Sequence, residues 1–130
     1  MEDMSNLPSV MVVDDEEELA NLFMNLLKGS GFNSVSFTDS LLALKRFSRN
    51  PQKNSLVLLD LRMPGLNGIE LTKRIRGYNT NVKILLITGF FDEEYLNSNE
   101  LRESALSDVM QKPIKLRELK THINELCRVH

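Results

Sequence analysis

Short runs of consecutive apolar residues alternate along the chain with longer stretches in which apolar positions recur every third or fourth residue. Val10-Met11-Val12-Val13, Leu56-Val57-Leu58-Leu59 and the run from Val82 to Ile87 are of the first kind, as strands covered on both faces would be. Val35 and Phe37 alternate with polar neighbours in a weaker strand, and Asp108-Val109-Met110 gives a short fifth. Between these lie the helical patterns. Leu19, Leu22, Phe23, Leu26 and Leu27 share one face until Gly29 and Gly31 stop it. Leu41, Leu44 and Phe47 follow a cap at Asp39 or Ser40 and end before Pro51. Asn67 and Glu70 have capping-box spacing ahead of Ile69 and Ile75, in a helix closing near Gly77. Phe91, Tyr95, Leu101 and Ala105 indicate a fourth helix of indefinite length. Leu116, Leu119, Ile123 and Leu126 form a last amphipathic one after Lys112-Pro113.

Five strands alternating with five helices predict an α/β fold: a doubly wound, parallel five-stranded sheet with helices on both faces, because parallel neighbours need crossover connections. The flavodoxin-like order 2-1-3-4-5 is the leading candidate for this size. At 130 residues the chain fits one domain, expected over 1–130 with a core from about 8 to 126.

Composition narrows the function classes. Apolar residues make up 42% and charged ones 26%, which permits a buried core. Sixteen basic and eighteen acidic residues give a net charge of -2, so nothing argues for direct nucleic-acid or anionic-membrane binding. Protein partners are expected instead. The start Met1-Glu2-Asp3 lacks a basic, then apolar, secretory pattern, no apolar run is long enough to span a bilayer, and the lone Cys127 suits a reducing cytoplasm. Cys127 is read as helix packing, and neither His122 nor His130 has a flanking ligand pattern.

The apolar runs share one further property: they end in polar groups. Strand one delivers Asp14 and Asp15, strand three Asp60, strand four Thr88 and strand five Lys112. In an open parallel sheet the functional crevice lies beyond these carboxyl ends. A single strand-terminal Asp is most often a turn or cap residue, and Glu16, Glu17 and Glu18 are accounted for by the dipole of the first helix. Three carboxylates at one edge are different, because they repel one another unless a cation compensates. Oxygen ligands without His or Cys favour Mg²⁺ or a close substitute such as Mn²⁺. Asp60, on the central strand, is the candidate nucleophile toward phosphorus, and Asp14 and Asp15 are the candidates to hold the ion and its waters. Lys112 and Thr88 can each contact a phosphoryl oxygen.

The segments Val12-Val13-Asp14-Asp15, Leu58-Leu59-Asp60-Leu61-Arg62-Met63-Pro64-Gly65-Leu66-Asn67-Gly68, Thr88-Gly89 and Lys112-Pro113 resemble the response-regulator receiver family of two-component signalling, whose single-domain members include the chemotaxis regulator. The resemblance runs from about Pro8 to Leu126. It implies the 2-1-3-4-5 sheet, phosphorylation of Asp60 by a sensor histidine kinase or histidine phosphotransfer protein, self-catalysed dephosphorylation and a changed affinity for a downstream protein. Asp15, Asp60 and the backbone carbonyl of Arg62 would ligate Mg²⁺, with Asp14 acting mostly through water. A cis bond between Lys112 and Pro113 is implied as well, and a phosphorylation-dependent dimer is compatible with the family.

Val109 stands where family members commonly carry a Tyr or Phe that turns inward as the threonine moves. The expectation is therefore that Phe90, Phe91 or Met110 substitutes, that output uses another surface, or that Val109 is an ordinary core residue. Arg62 and Phe90, two residues after Asp60 and Thr88, would rim the pocket. Lys115, Arg117, Lys120 and Arg128 suit either a partner surface or a solvated helix face. Two other functions compete. A haloacid-dehalogenase-type phosphatase shares the Asp, Thr, Lys and Mg²⁺, but its Asp-x-Asp would need a carboxylate where Arg62 stands. A phosphorylation-independent binding module would keep the fold without needing all five site residues.

Overall fold

The three longest apolar runs form the centre of one parallel sheet in a computed structural model that describes residues 8–89 and 99–127. Its strands are β1 (Ser9–Val13), β2 (Asn33–Phe37), β3 (Asn54–Asp60), β4 (Lys83–Thr88) and β5 (Asp108–Gln111), in the order β2-β1-β3-β4-β5. β1, β3 and β4 bury every apolar residue of these runs, as strands with helices on both sides must, while Lys83 at the start of β4 is exposed. β2 lies at an edge, and its Val35 remains 38% exposed, which explains the weaker apolar pattern there. The expected strand order is the one observed.

Five helices are described: α1 (Glu17–Gly29), α2 (Ser40–Arg49), α3 (Gly68–Arg76), α4 (Asn99–Glu103) and α5 (Leu116–Leu126). Alternate strand residues separate two cores. Met11, Val57 and Leu86 join Phe47, Leu71 and Ile75 of α2 and α3 on one face. Val12, Leu58 and Ile87 join Phe23, Leu27 and Ile123 of α1 and α5 on the other. Phe23 and Phe47 are fully buried; truncating either to Ala is expected to cost about 3–5 kcal/mol.

Local chemistry sets the helix ends. The Asp39 carboxylate accepts from the backbone N–H of Leu41 at 2.8 Å and of Leu42 at 3.2 Å, so of the two candidate caps it is the one used. Ser40 is instead buried, where its hydroxyl donates to the Pro64 carbonyl at 3.1 Å and accepts from the Leu66 N–H at 2.9 Å. The capping box at Asn67 and Glu70 forms in both directions, at 2.9 and 3.1 Å. Arg76, at the end of α3, donates to the carbonyls of Ala105 and Val82 and so ties the approach to β5 to the start of β4. Of the fourth helix expected from Phe91 to Ala105, residues 99–103 are helical, and Phe91 and Tyr95 lie outside the described residues. No described helix is long and apolar enough to cross a membrane.

Candidate functional site

The carboxyl ends of β1, β3, β4 and β5 bring five chemically active side chains to one edge of the sheet. Asp14 directly follows β1, where its N–H continues the ladder to the Phe37 carbonyl at 3.0 Å. Asp60 and Thr88 are the last residues of β3 and β4. Lys112 follows β5 and is fixed by its N–H to the Thr88 carbonyl at 2.7 Å. The Lys112–Pro113 bond is cis, as the resemblance implied.

The loop after Asp60 is held from below by α3. Gly68 donates its N–H to the Leu61 carbonyl at 2.8 Å. A Cβ at residue 68 would stand 2.5 Å from the Asp60 carbonyl oxygen and 2.6 Å from a Leu86 methyl. Those distances exclude any side chain, so glycine is required for the helix to approach the strand this closely.

Carboxylate oxygens of Asp14, Asp15 and Asp60 all lie within 4.8 Å of one another. Asp14 and Asp60 are buried, while Asp15 is exposed. Lys112 Nζ stands 3.4 Å from Oδ1 of Asp60 and 3.9 Å from Oδ2 of Asp14. Burial pushes the Asp14 carboxyl up to about 6, and the Asp60 charge adds to the rise, against the opposing Glu16 N–H and Lys112. Asp60 is likewise raised by burial, with Lys112 opposing. One ammonium therefore leaves the cluster short of positive charge. A hard-oxygen donor set with surplus negative charge and no His or Cys fits a Mg²⁺-sized divalent cation.

Thr88 adds an unsatisfied group. Its Oγ1 is fully buried and has no hydrogen-bond partner among the described residues. Orphaned buried hydroxyls are rare and costly, and one at the same sheet edge as Asp60 suits an acceptor that arrives with a ligand. Asp14, Asp15, Asp60, Thr88 and Lys112 are thus brought to the same edge. Arg62 follows two residues after Asp60 with an exposed side chain; Phe90 lies outside the described residues.

Other candidates fall elsewhere. Val109 is half-buried against the core on the α2–α3 face. Cys127 packs on the opposite core, and burial pushes its thiol up, which fits a packing role. His122 is hydrogen-bonded through Nδ1 to Asp108 Oδ2, an α5–β5 contact that sequence reasoning missed because no local spacing encodes it.

A family model of the response regulator receiver domain matches residues 10–124. The alkaline phosphatase synthesis transcriptional regulatory protein PhoP of Bacillus subtilis is 34% identical over 119 residues, covering 92% of this chain and 48% of that protein. The sensory transduction protein RegX3 of Mycobacterium tuberculosis is 33% identical over 122 residues, covering 94% and 52%. The chain thus spans about half the length of these curated relatives. In fold it is similar to a receiver domain protein from Clostridium thermocellum, with a TM-score of 0.85 and 23% identity over 93% of this chain and 94% of the other. From these matches, and from a sheet whose strand ends gather acid, hydroxyl and ammonium, the chain belongs to the receiver domain family of two-component response regulators.

Proposed function

We propose that the chain, acting as one receiver unit over 1–130 with a core from about 8 to 126, accepts a phosphoryl group on Asp60 from the phosphohistidine of a sensor histidine kinase or histidine phosphotransfer protein. The observation that carries this reading is Lys112 Nζ at 3.4 Å from Oδ1 of Asp60, at the same sheet edge as the buried, unpartnered hydroxyl of Thr88.

An Asp60 carboxylate oxygen forms the new O–P bond as the P–N bond to the donor imidazole breaks. The freed ring nitrogen keeps the bonding pair and takes a proton. Lys112 holds its ammonium where charge on a phosphoryl oxygen is offset, and Thr88 donates its hydroxyl to another. When bound by Asp14, Asp15, Asp60 and the backbone carbonyl of Arg62, Mg²⁺, or Mn²⁺ in its place, supplies the remaining positive charge. Water attack on phosphorus later returns the Asp60 carboxylate and inorganic phosphate. The unit is a phosphoacceptor that catalyses its own loading and unloading, not a turnover enzyme. Its output is a changed affinity for a downstream protein, with phosphorylation-dependent dimerisation one form this can take, and its compartment is the cytoplasm.

Intact-mass measurement after incubation with acetyl phosphate and Mg²⁺ tests the reading. One phosphoryl adduct is expected, absent without the cation and absent in Asp60→Asn. An unmodified wild-type mass, or an adduct that persists in the variant, would overturn it.

A further inference from the structure

Charge is unevenly distributed along this chain. Asp14, Asp15, Glu16, Glu17 and Glu18 are followed by a stretch, residues 19–59, whose only acid is Asp39 but which holds Lys28, Lys45, Arg46, Arg49 and Lys53. Folding concentrates three of these cations. Below the C-terminal end of α2, at the amino ends of β1, β2 and β3, lies a cleft of about 420 Å³ lined by Arg46, Arg49 and Lys53 and by no acidic residue. None of the three has an ion-pair partner among the described residues. Asn33, Asn50 and Asn54 line the same space, and Val35, 38% exposed, gives it an apolar surface beside the buried Met11.

The carbonyl end of α2 accounts for part of this. A helix C-terminus carries about half a negative charge, which favours a basic residue in the last turn, and Arg46 and Arg49 are in that turn. Half a charge does not balance two guanidinium groups, and Lys53 lies beyond the helix, where its N–H closes a turn onto the Asn50 carbonyl at 3.1 Å. Three like charges around one concavity repel each other unless an anion joins them. Guanidinium forks match phosphate oxygens in a bidentate way, and amide groups can complete the set of donors. The exposed Val35 offers an apolar surface to a ring, and the volume lies in the range of small-molecule sites.

We propose that this cleft binds a small phosphorylated ligand of nucleotide size, with the phosphate on Arg46, Arg49 and Lys53 and the ring against Val35. The site is separate from the acidic edge. β3 runs from Asn54 beside the cleft to Asp60 in the acid cluster, a span of about 20 Å at about 3.3 Å per residue. That exceeds the Debye length of about 8 Å at physiological salt, so the two ends hold opposite charges without cancelling.

Isothermal titration of the full chain with adenosine monophosphate, inorganic pyrophosphate and adenosine, without divalent cation, tests this. Saturable binding of adenosine monophosphate with a Kd below about 1 mM is expected, with weaker binding of pyrophosphate and none of adenosine. The double variant Arg49→Gln, Lys53→Gln, whose two positions are exposed, should lose at least about tenfold in affinity. Its unchanged thermal midpoint and acetyl phosphate labelling would show that it is folded. Amide shifts on titration should centre on Asn33, Asn50 and Asn54. Absence of saturation at about 10 mM, equal affinity for adenosine, an unaltered double variant, or shifts centred on Asp60 would each overturn the proposal.

Discussion

Lys112 Nζ faces Oδ1 of Asp60 at 3.4 Å, so an ammonium from the end of β5 meets the carboxylate that ends β3 across the intervening β4. The contact requires the register in which Thr88 pairs with Gln111 and Asp60 with Ile87. One cation among three carboxylates leaves the edge underneutralised.

Without divalent cation, stability should fall as pH rises from about 4 to 6. Asp14 has a folded-state pKa of about 6 against an ordinary 3.8, so in that window the native state binds more protons than the unfolded one. The cost is absent below the unfolded pKa and complete above the folded one, at most about 3 kcal/mol at 1.36 kcal/mol per unit. Urea midpoints across pH in chelator should show the decline. Asp14→Asn should flatten it, and added Mg²⁺ should raise the midpoint at pH 7. A pH-independent midpoint in the wild type would contradict this.

Thr88→Val should move stability and chemistry in opposite directions. Removing a buried hydroxyl that lacks a partner should stabilise the unphosphorylated protein by about 1 kcal/mol. Loss of the donor should slow acetyl phosphate labelling by about tenfold. Denaturant titration and timed intact-mass spectra read the two effects separately. A variant that is both less stable and fully active would refute the assignment of this group.

Arg62→Ala should shorten the lifetime of the aspartyl phosphate. The Arg62 side chain is exposed beside the loop that follows Asp60, and removing it opens a route for water. The change should stay within about tenfold, since one decade corresponds to only about 1.4 kcal/mol. Phosphate release after removal of the donor measures it, and an unchanged rate would end the idea.

Asn67→Ala should cost about 1 kcal/mol of stability through loss of the cap on α3. Because Asn67 and Glu70 hold each other's backbone N–H, a double-mutant cycle with Glu70→Ala should be non-additive. Additive losses in urea denaturation would indicate two independent contacts.

Much of the active edge was legible because it is written locally. Each apolar run that forms a buried strand stops at a candidate site residue, and a parallel sheet aligns all such stops. Capping was legible for the same reason, except that Asp39 and Ser40 could not be told apart until the fold turned Ser40 inward against Pro64 and Leu66. Contacts depending on register between distant segments left no periodic trace. The His122–Asp108 pair, the reach of Arg76 to Ala105 and the cleft joining Arg49 to Asn33 are of this kind. At Val109 the missing ring was visible in the sequence. Its half-burial against the α2–α3 core depends on the pairing of β5 with β4, in which Val109 lies opposite Leu86.

The junction at Gly68 bears on how a change at the acidic edge travels. Helix and strand mesh there like gear teeth without backlash, since backbone meets backbone with no side chain between to yield. A shift of the last residue of β3 would therefore press directly on the first turn of α3. The outer surface of that helix carries Lys73 and Arg74.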